Sequence, residues 1–160
     1  MLRREGGGKI GHIFEEIISL ENLFVAWREF KRGKEKKHDV QVFTMNVEDH
    51  LFALHTDLKA GTYRHGEYTA FVVCDPKRRD IHKASVRDRV LHHAIHRVIE
   101  PIFDKAFIFD SYSSRKNKGT HAACRRFRSM AWGLSRNNTK TVWILKADIR
   151  KFFDSVDHRI

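Results

Sequence analysis

The chain has 160 residues, 41% of them hydrophobic, and its 31 Lys and Arg against 20 Asp and Glu give a formal net charge of +11. That length can support one domain with a real core, and the basic excess points to a polyanionic partner, nucleic acid before an anionic membrane surface. No apolar run approaches the roughly 18 residues that a membrane span needs, and Cys74 and Cys124 lack the number and spacing of a disulfide framework or a zinc site.

Two isolated cysteines read as buried thiols in a reducing, cytoplasmic compartment. The first 18 residues, with Gly6-Gly7-Gly8, read as a flexible N-terminal segment, and residues 19–160 as one unit without linker or repeat. A helix is predicted near 19–30, opening at Ser19 with Glu21 in its first turn and turning Leu20, Leu23, Phe24 and Trp27 inward. The basic run Lys31–Lys37 follows as a loop, a sequence-independent phosphate contact if a duplex lies beside it.

A second helix is predicted near 43–60, because Phe43, Val47, Leu51, Leu54 and Leu58 recur at helical spacing and Gly61 can close it. The pattern then turns β-like, and Asp75-Pro76-Lys77 marks the turn of a hairpin near 67–84. On its returning strand Arg79, Ile81 and Lys83 share one face, Arg78 and His82 the other. Ser85 caps a third helix near 85–100, with Asp88 as the acid of a capping box, a stripe from Val90 to Ile99, and Pro101 at the far end. His92, His93 and His96 on this helix read as solvated rings, since no Glu stands between them as in a zinc protease motif.

Asp110-Ser-Tyr112 leads to the basic loop Arg115-Lys116-Asn-Lys118-Gly119, which opens a fourth helix near 119–134 with Ala122, Ala123, Phe127, Met130 and Ala131 inward. A strand near 141–148 then delivers Asp148 at its end. A carboxylate at the edge of a buried strand is costly unless a metal or a cation, here Lys146 or Arg150, pairs with it. Two aromatics follow, then Asp154 as the N-cap of a further helix with Asp157 in its first turn.

Asp75-Pro-Lys-Arg-Arg79, Ser85-Val-Arg-Asp-Arg-Val90, Glu100-Pro-Ile-Phe103, Asp110-Ser-Tyr112, Lys118-Gly-Thr-His121 and Lys146-Ala-Asp-Ile149 occur in this order from about Asp39 to Ile160. Order and spacing together resemble the fingers and early palm of bacterial retroelement reverse transcriptases, of the group II intron, retron and diversity-generating kinds. The resemblance implies an α+β fold, the fingers and partial palm of a right-hand polymerase, and RNA-directed DNA synthesis by phosphoryl transfer with Mg²⁺. Asp148 is then the catalytic metal ligand, joined by the Ile149 backbone carbonyl. Phe153 is the aromatic under the sugar, Arg79 and Lys83 hold the dNTP triphosphate, and Arg87, Arg89, Arg115, Lys116 and Lys118 contact nucleic acid, with pairing to Asp88 as the alternative for Arg87 and Arg89. RNA template and primer are the implied partners.

The second carboxylate motif of such enzymes, Tyr-x-Asp-Asp, is not in the sequence. The chain therefore reads as truncated before it, inactive by itself, with the remaining polymerase or an accessory protein as a further expected partner. The alternative is a non-catalytic module, derived from polymerase fingers, that binds RNA or an RNA–DNA duplex. Asp148 together with Phe153 argues against it, since a pure binder needs neither.

Overall fold

A computed structural model of the chain describes residues 12–152 and 155–157. The described residues fall into two units, the first ending at Ala106 and the second starting at Phe107, although no Gly- or Pro-rich linker announces that division in the sequence. Six helices and one two-stranded sheet are formed among the described residues, a mixture compatible with an α+β class.

The first unit opens with α1 (Ile13–Ile18), a helix where the sequence predicted only a flexible segment. The reason is packing: Ile18 is buried, and its carbonyl meets His55 Nδ1 at 2.8 Å. Residues 1–11 of that predicted segment lie outside the described residues. Helix α2 (Leu20–Lys31) starts as expected, the Ser19 hydroxyl accepting from the Asn22 amide at 3.2 Å. It buries Leu23, Ala26, Trp27 and Phe30.

The helix predicted near 43–60 is instead two, α3 (His38–Met45) and α4 (Val47–Ala60), divided at Asn46 with φ −129° and ψ 40°. The apolar period runs through the break, so periodicity could not reveal it. Phe43, Leu51 and Leu54 are buried, with Val47 and Leu58 packed against them. Gly61 ends α4 in the left-handed region at φ +68°, its amide bonded to the Leu58 carbonyl at 3.2 Å, a conformation that costs glycine little.

β1 (Thr69–Cys74) and β2 (Arg78–Lys83) form an antiparallel hairpin in which Phe71 faces Ile81 and Val73 faces Arg79. Every residue of β1 is exposed, and in β2 only Ile81 and Lys83 are partly covered. The hairpin therefore stands off the helical core. Helix α5 (Val86–Asp104) runs past Pro101, beyond its predicted end, and supplies Val86, Val90, Leu91 and Ala94 to the core shared with α2, α3 and α4.

In the second unit, α6 (Thr120–Leu134) lies close to its predicted span, yet none of its residues is buried. The residues predicted inward include Phe127 at 54% and Met130 at 45% exposure. The strand predicted near 141–148 is not formed. These residues belong to no helix or ladder, and Trp143 and Leu145 are more than 90% exposed, because no extended neighbour among the described residues supplies the missing hydrogen bonds. Phe153 and Asp154 lie outside the described residues, and Asp157 is not helical. Both cysteines are exposed and free, not buried as expected. No helix among the described residues is long and apolar enough to cross a membrane.

Candidate nucleic-acid interface

The predicted phosphate contacts of the first unit separate into two groups. Arg79 lies on the exposed distal part of β2, two residues beyond the Asp75–Lys77 turn, and pairs with no acid among the described residues. Lys83, at the root of the same strand, is held otherwise: its Nζ lies 2.6 Å from Asp39 Oδ2. Arg89 reaches the same carboxylate oxygen at 2.5 Å while its Nε donates to the Ser85 carbonyl at 3.3 Å and its guanidinium lies over the Phe30 ring. One carboxylate near the start of α3 thus ties together the hairpin root and the first turn of α5.

Burial pushes the Asp39 carboxyl up, but the hydrogen bonds from Lys83 and Arg89, with their positive charge, outweigh it and bring it down to about 2. Arg87 is held by Asp57 at 2.5 Å and stacks over Tyr63. Arg87 and Arg89 thus pair with Asp57 and Asp39, and not with their neighbour Asp88.

Asp88 has other work. It is 1% exposed, and its oxygens accept from Tyr63 Oη at 2.8 Å, the Gly66 amide at 3.1 Å and Ser85 Oγ at 2.6 Å. Ser85 Oγ in turn accepts from the Asp88 amide at 3.2 Å, the N-cap that the sequence predicted. Burial raises the Asp88 carboxyl, and the three donors more than offset that, so the net shift is downward. Burial and the Asp88 bond together push the Tyr63 phenol up to about 12, which keeps it a donor. The connection from α4 to the hairpin is pinned to the start of α5 by this carboxylate.

In the second unit, Arg115 donates to the carbonyls of Ile108 and Ser111, and its guanidinium lies 5.5 Å from the Phe107 ring. Lys118 bonds the Phe109 carbonyl and sits over the Phe109 and Tyr112 rings. Lys116 is exposed. Asp110, which the sequence read only as part of a motif, accepts from Arg126 Nε at 2.9 Å and from Tyr112. The hydrogen bond from Arg126 holds its carboxyl below the usual range.

Asp148 is exposed and its Oδ1 accepts from the Ile149 amide at 3.0 Å. Neither Lys146 nor Arg150 pairs with it among the described residues. One carboxylate and the adjacent carbonyl do not by themselves fit a divalent-ion centre, and no group of three or more His, Cys, Asp or Glu among the described residues could hold a metal. Sequence reading missed Asp39 and Asp57 as clamps, because their partners lie 50 and 30 residues away. The only local signal was an acid just after a basic run.

No family model matches the sequence. Over 84 residues, 52% of the chain, it is 29% identical to Protein YkfC of Escherichia coli (strain K12), covering 22% of that protein. Over 111 residues, 68% of the chain, it is 24% identical to the Putative COX1/OXI3 intron 1 protein of Saccharomyces cerevisiae, covering 12% of it. It is 30% identical over 71 residues, 44% of the chain, to the Nuclear intron maturase 1, mitochondrial, of Arabidopsis thaliana, covering 9% of that protein. The chain thus spans less than a quarter of the length of these curated relatives. At this distance the similarity is to intron-encoded and maturase-type proteins.

Proposed function

We propose that the chain forms the fingers and early palm of a reverse-transcriptase-related protein of the intron-maturase kind, and that it holds RNA by its sugar–phosphate backbone. The observation that carries this reading is the exposed hairpin, whose distal cation Arg79 is unpaired among the described residues while its root is locked by Asp39. A projecting basic hairpin on a rigid base suits phosphates of a strand passing beside it. Similarity to a protein named for an intron and another named an intron maturase supports RNA as the polyanion.

In the polymerase form of this proposal Arg79 meets the dNTP triphosphate and Lys116 and Lys118 the template strand. Asp148 and the Ile149 carbonyl become magnesium ligands once further carboxylates complete the site, and Phe153 lies beside the incoming sugar. RNA-templated primer extension tests it. The 160-residue chain alone is expected to bind RNA and extend nothing. Joined to a palm segment carrying Tyr-x-Asp-Asp, it is expected to extend a DNA primer, and Asp148→Ala to abolish that. Extension that survives Asp148→Ala would remove Asp148 as the metal ligand, and no extension by the joined protein would leave a binding module.

A further inference from the structure

Three segments of the first unit bring aromatic rings together outside the core. His92 of α5 stacks on His65 with ring centroids 5.7 Å apart and an interplanar angle of 22°. His65 stacks on Tyr68 at 4.8 Å and 28°. Tyr68 meets His82 of β2 edge-on at 6.4 Å and 85°. All four residues lie at exposed positions, the His65 side chain partly covered beside Asp88 at 3.9 Å, and none belongs to the hydrophobic core. Two imidazoles and a phenol stacked in contact with solvent bury little apolar area, so folding gains little from gathering them there.

The ladder is nonetheless held in place. His65 and Tyr68 flank Gly66, whose amide is bonded to the buried Asp88 carboxylate. A Cβ at position 66 would meet Asp88 Oδ2 at 3.1 Å, so the close approach of backbone to carboxylate depends on glycine. We propose that the His92–His65–Tyr68 ladder, with His82 at its edge, is a stacking platform for an unpaired base of single-stranded RNA. This rests on the RNA-holding reading above and adds a place and a strand type to it.

The chemistry favours a nucleobase over an apolar protein segment. His65 touches both neighbours, so His92 and Tyr68 are the two ends of the ladder, and Tyr68 is 56% exposed. Each end ring offers a π-face together with polar edge atoms, which suits a heteroaromatic base and ill suits an aliphatic side chain. Arg64 adjoins His65 in the chain, and His96 lies one turn beyond His92 on α5. These groups suit the phosphates on either side of a stacked base. Glu67 is the exposed acid of this stretch, whereas the charge of Asp88 is buried among three donors.

The test is fluorescence anisotropy of the full chain with a short single-stranded RNA and with an RNA duplex, plus 2-aminopurine placed in the single strand. Tyr68→Leu and His92→Ala are expected to weaken single-strand binding about tenfold each, the effect of losing one base–aromatic stack, and to leave duplex binding unchanged. Tyr68→Phe should restore it, and 2-aminopurine should be quenched by the wild-type chain and not by His92→Ala. Circular dichroism checks folding. If Tyr68→Leu is unfolded, His92→Ala decides alone. Equal binding by wild type and folded variants would overturn the platform and leave the RNA-holding reading standing. Failure of the wild-type chain to bind either RNA would overturn both.

Discussion

Asp39 accepts from two cations carried on different elements, and its acidity makes that arrangement measurable. Its folded-state value of about 2 lies below the ordinary 3.8, so the pairing stabilises fully above about pH 4 and is lost as pH falls toward 2. Solvent reaches 34% of the Asp39 side chain, which reduces the contribution to about 1 kcal/mol. Asp39→Asn is therefore expected to lower stability by about that amount at neutral pH. The difference should shrink through pH 4 to 2 in urea titrations, and a constant difference across that range would refute the clamp. Asp88 is the stricter case. Asp88→Ala leaves the Gly66 amide and the Tyr63 hydroxyl without their acceptor in a partly buried place, a loss of about 1–2 kcal/mol. Equilibrium unfolding measures it, and a loss as small as that of a surface substitution would mean the connection is not pinned. From sequence, Asp88 was visible as a cap partner of Ser85, because that relation spans three residues. Its bonds to Tyr63 and Gly66 were not, since local spacing carries no information about a segment 22 to 25 residues away.

At the scale of elements, legibility followed the origin of each element's stability. α2, α5 and the hairpin turn were readable because caps, apolar period and Asp75-Pro76-Lys77 are local signals. The break at Asn46 was hidden, because the buried stripe continues across it and only the backbone changes. The strand at 141–148 failed for a different reason. β-propensity states what fits a ladder, while the ladder itself needs a neighbour. The hairpin illustrates the same dependence: Phe71, Val72 and Val73 are 39% to 49% exposed, and a lone two-stranded sheet is only marginally stable. Its backbone amides are expected to exchange with solvent deuterium roughly a hundredfold faster than those in the middle of α5. Lys83→Met should speed the hairpin further without touching α5, because it removes one leg of the root clamp. Protection of the hairpin equal to that of α5 would contradict a hairpin that stands off the core.

For the molecule as a whole, a net charge of +11 makes polyanion binding expected, but the total does not say which cations are available for it. Arg87 and Arg89 were expected to contact phosphates alongside Arg79, and the chain spends them on Asp57 and Asp39. Releasing Arg87 for a phosphate would take from Asp57 its cation, and releasing Arg89 would leave Asp39 with Lys83 alone, so RNA should be met by cations that hold no acid. Arg79 is the clearest of these in the first unit. Counterion release makes the distinction quantitative: affinity falls with salt at a slope of about 0.7 per neutralised phosphate on a single strand. Arg79→Ala is expected to reduce the slope of log affinity against log salt by about 0.7 and to leave the melting temperature unchanged. Arg87→Ala should do the reverse, keeping the slope and costing about 1 kcal/mol of stability through the loss of its partly covered pair. Paired measurements of RNA affinity over a salt series and of thermal unfolding separate the two. Should Arg87→Ala flatten the salt dependence while Arg79→Ala does not, the hairpin is not the face that holds RNA. The charge that matters would then lie at the start of α5.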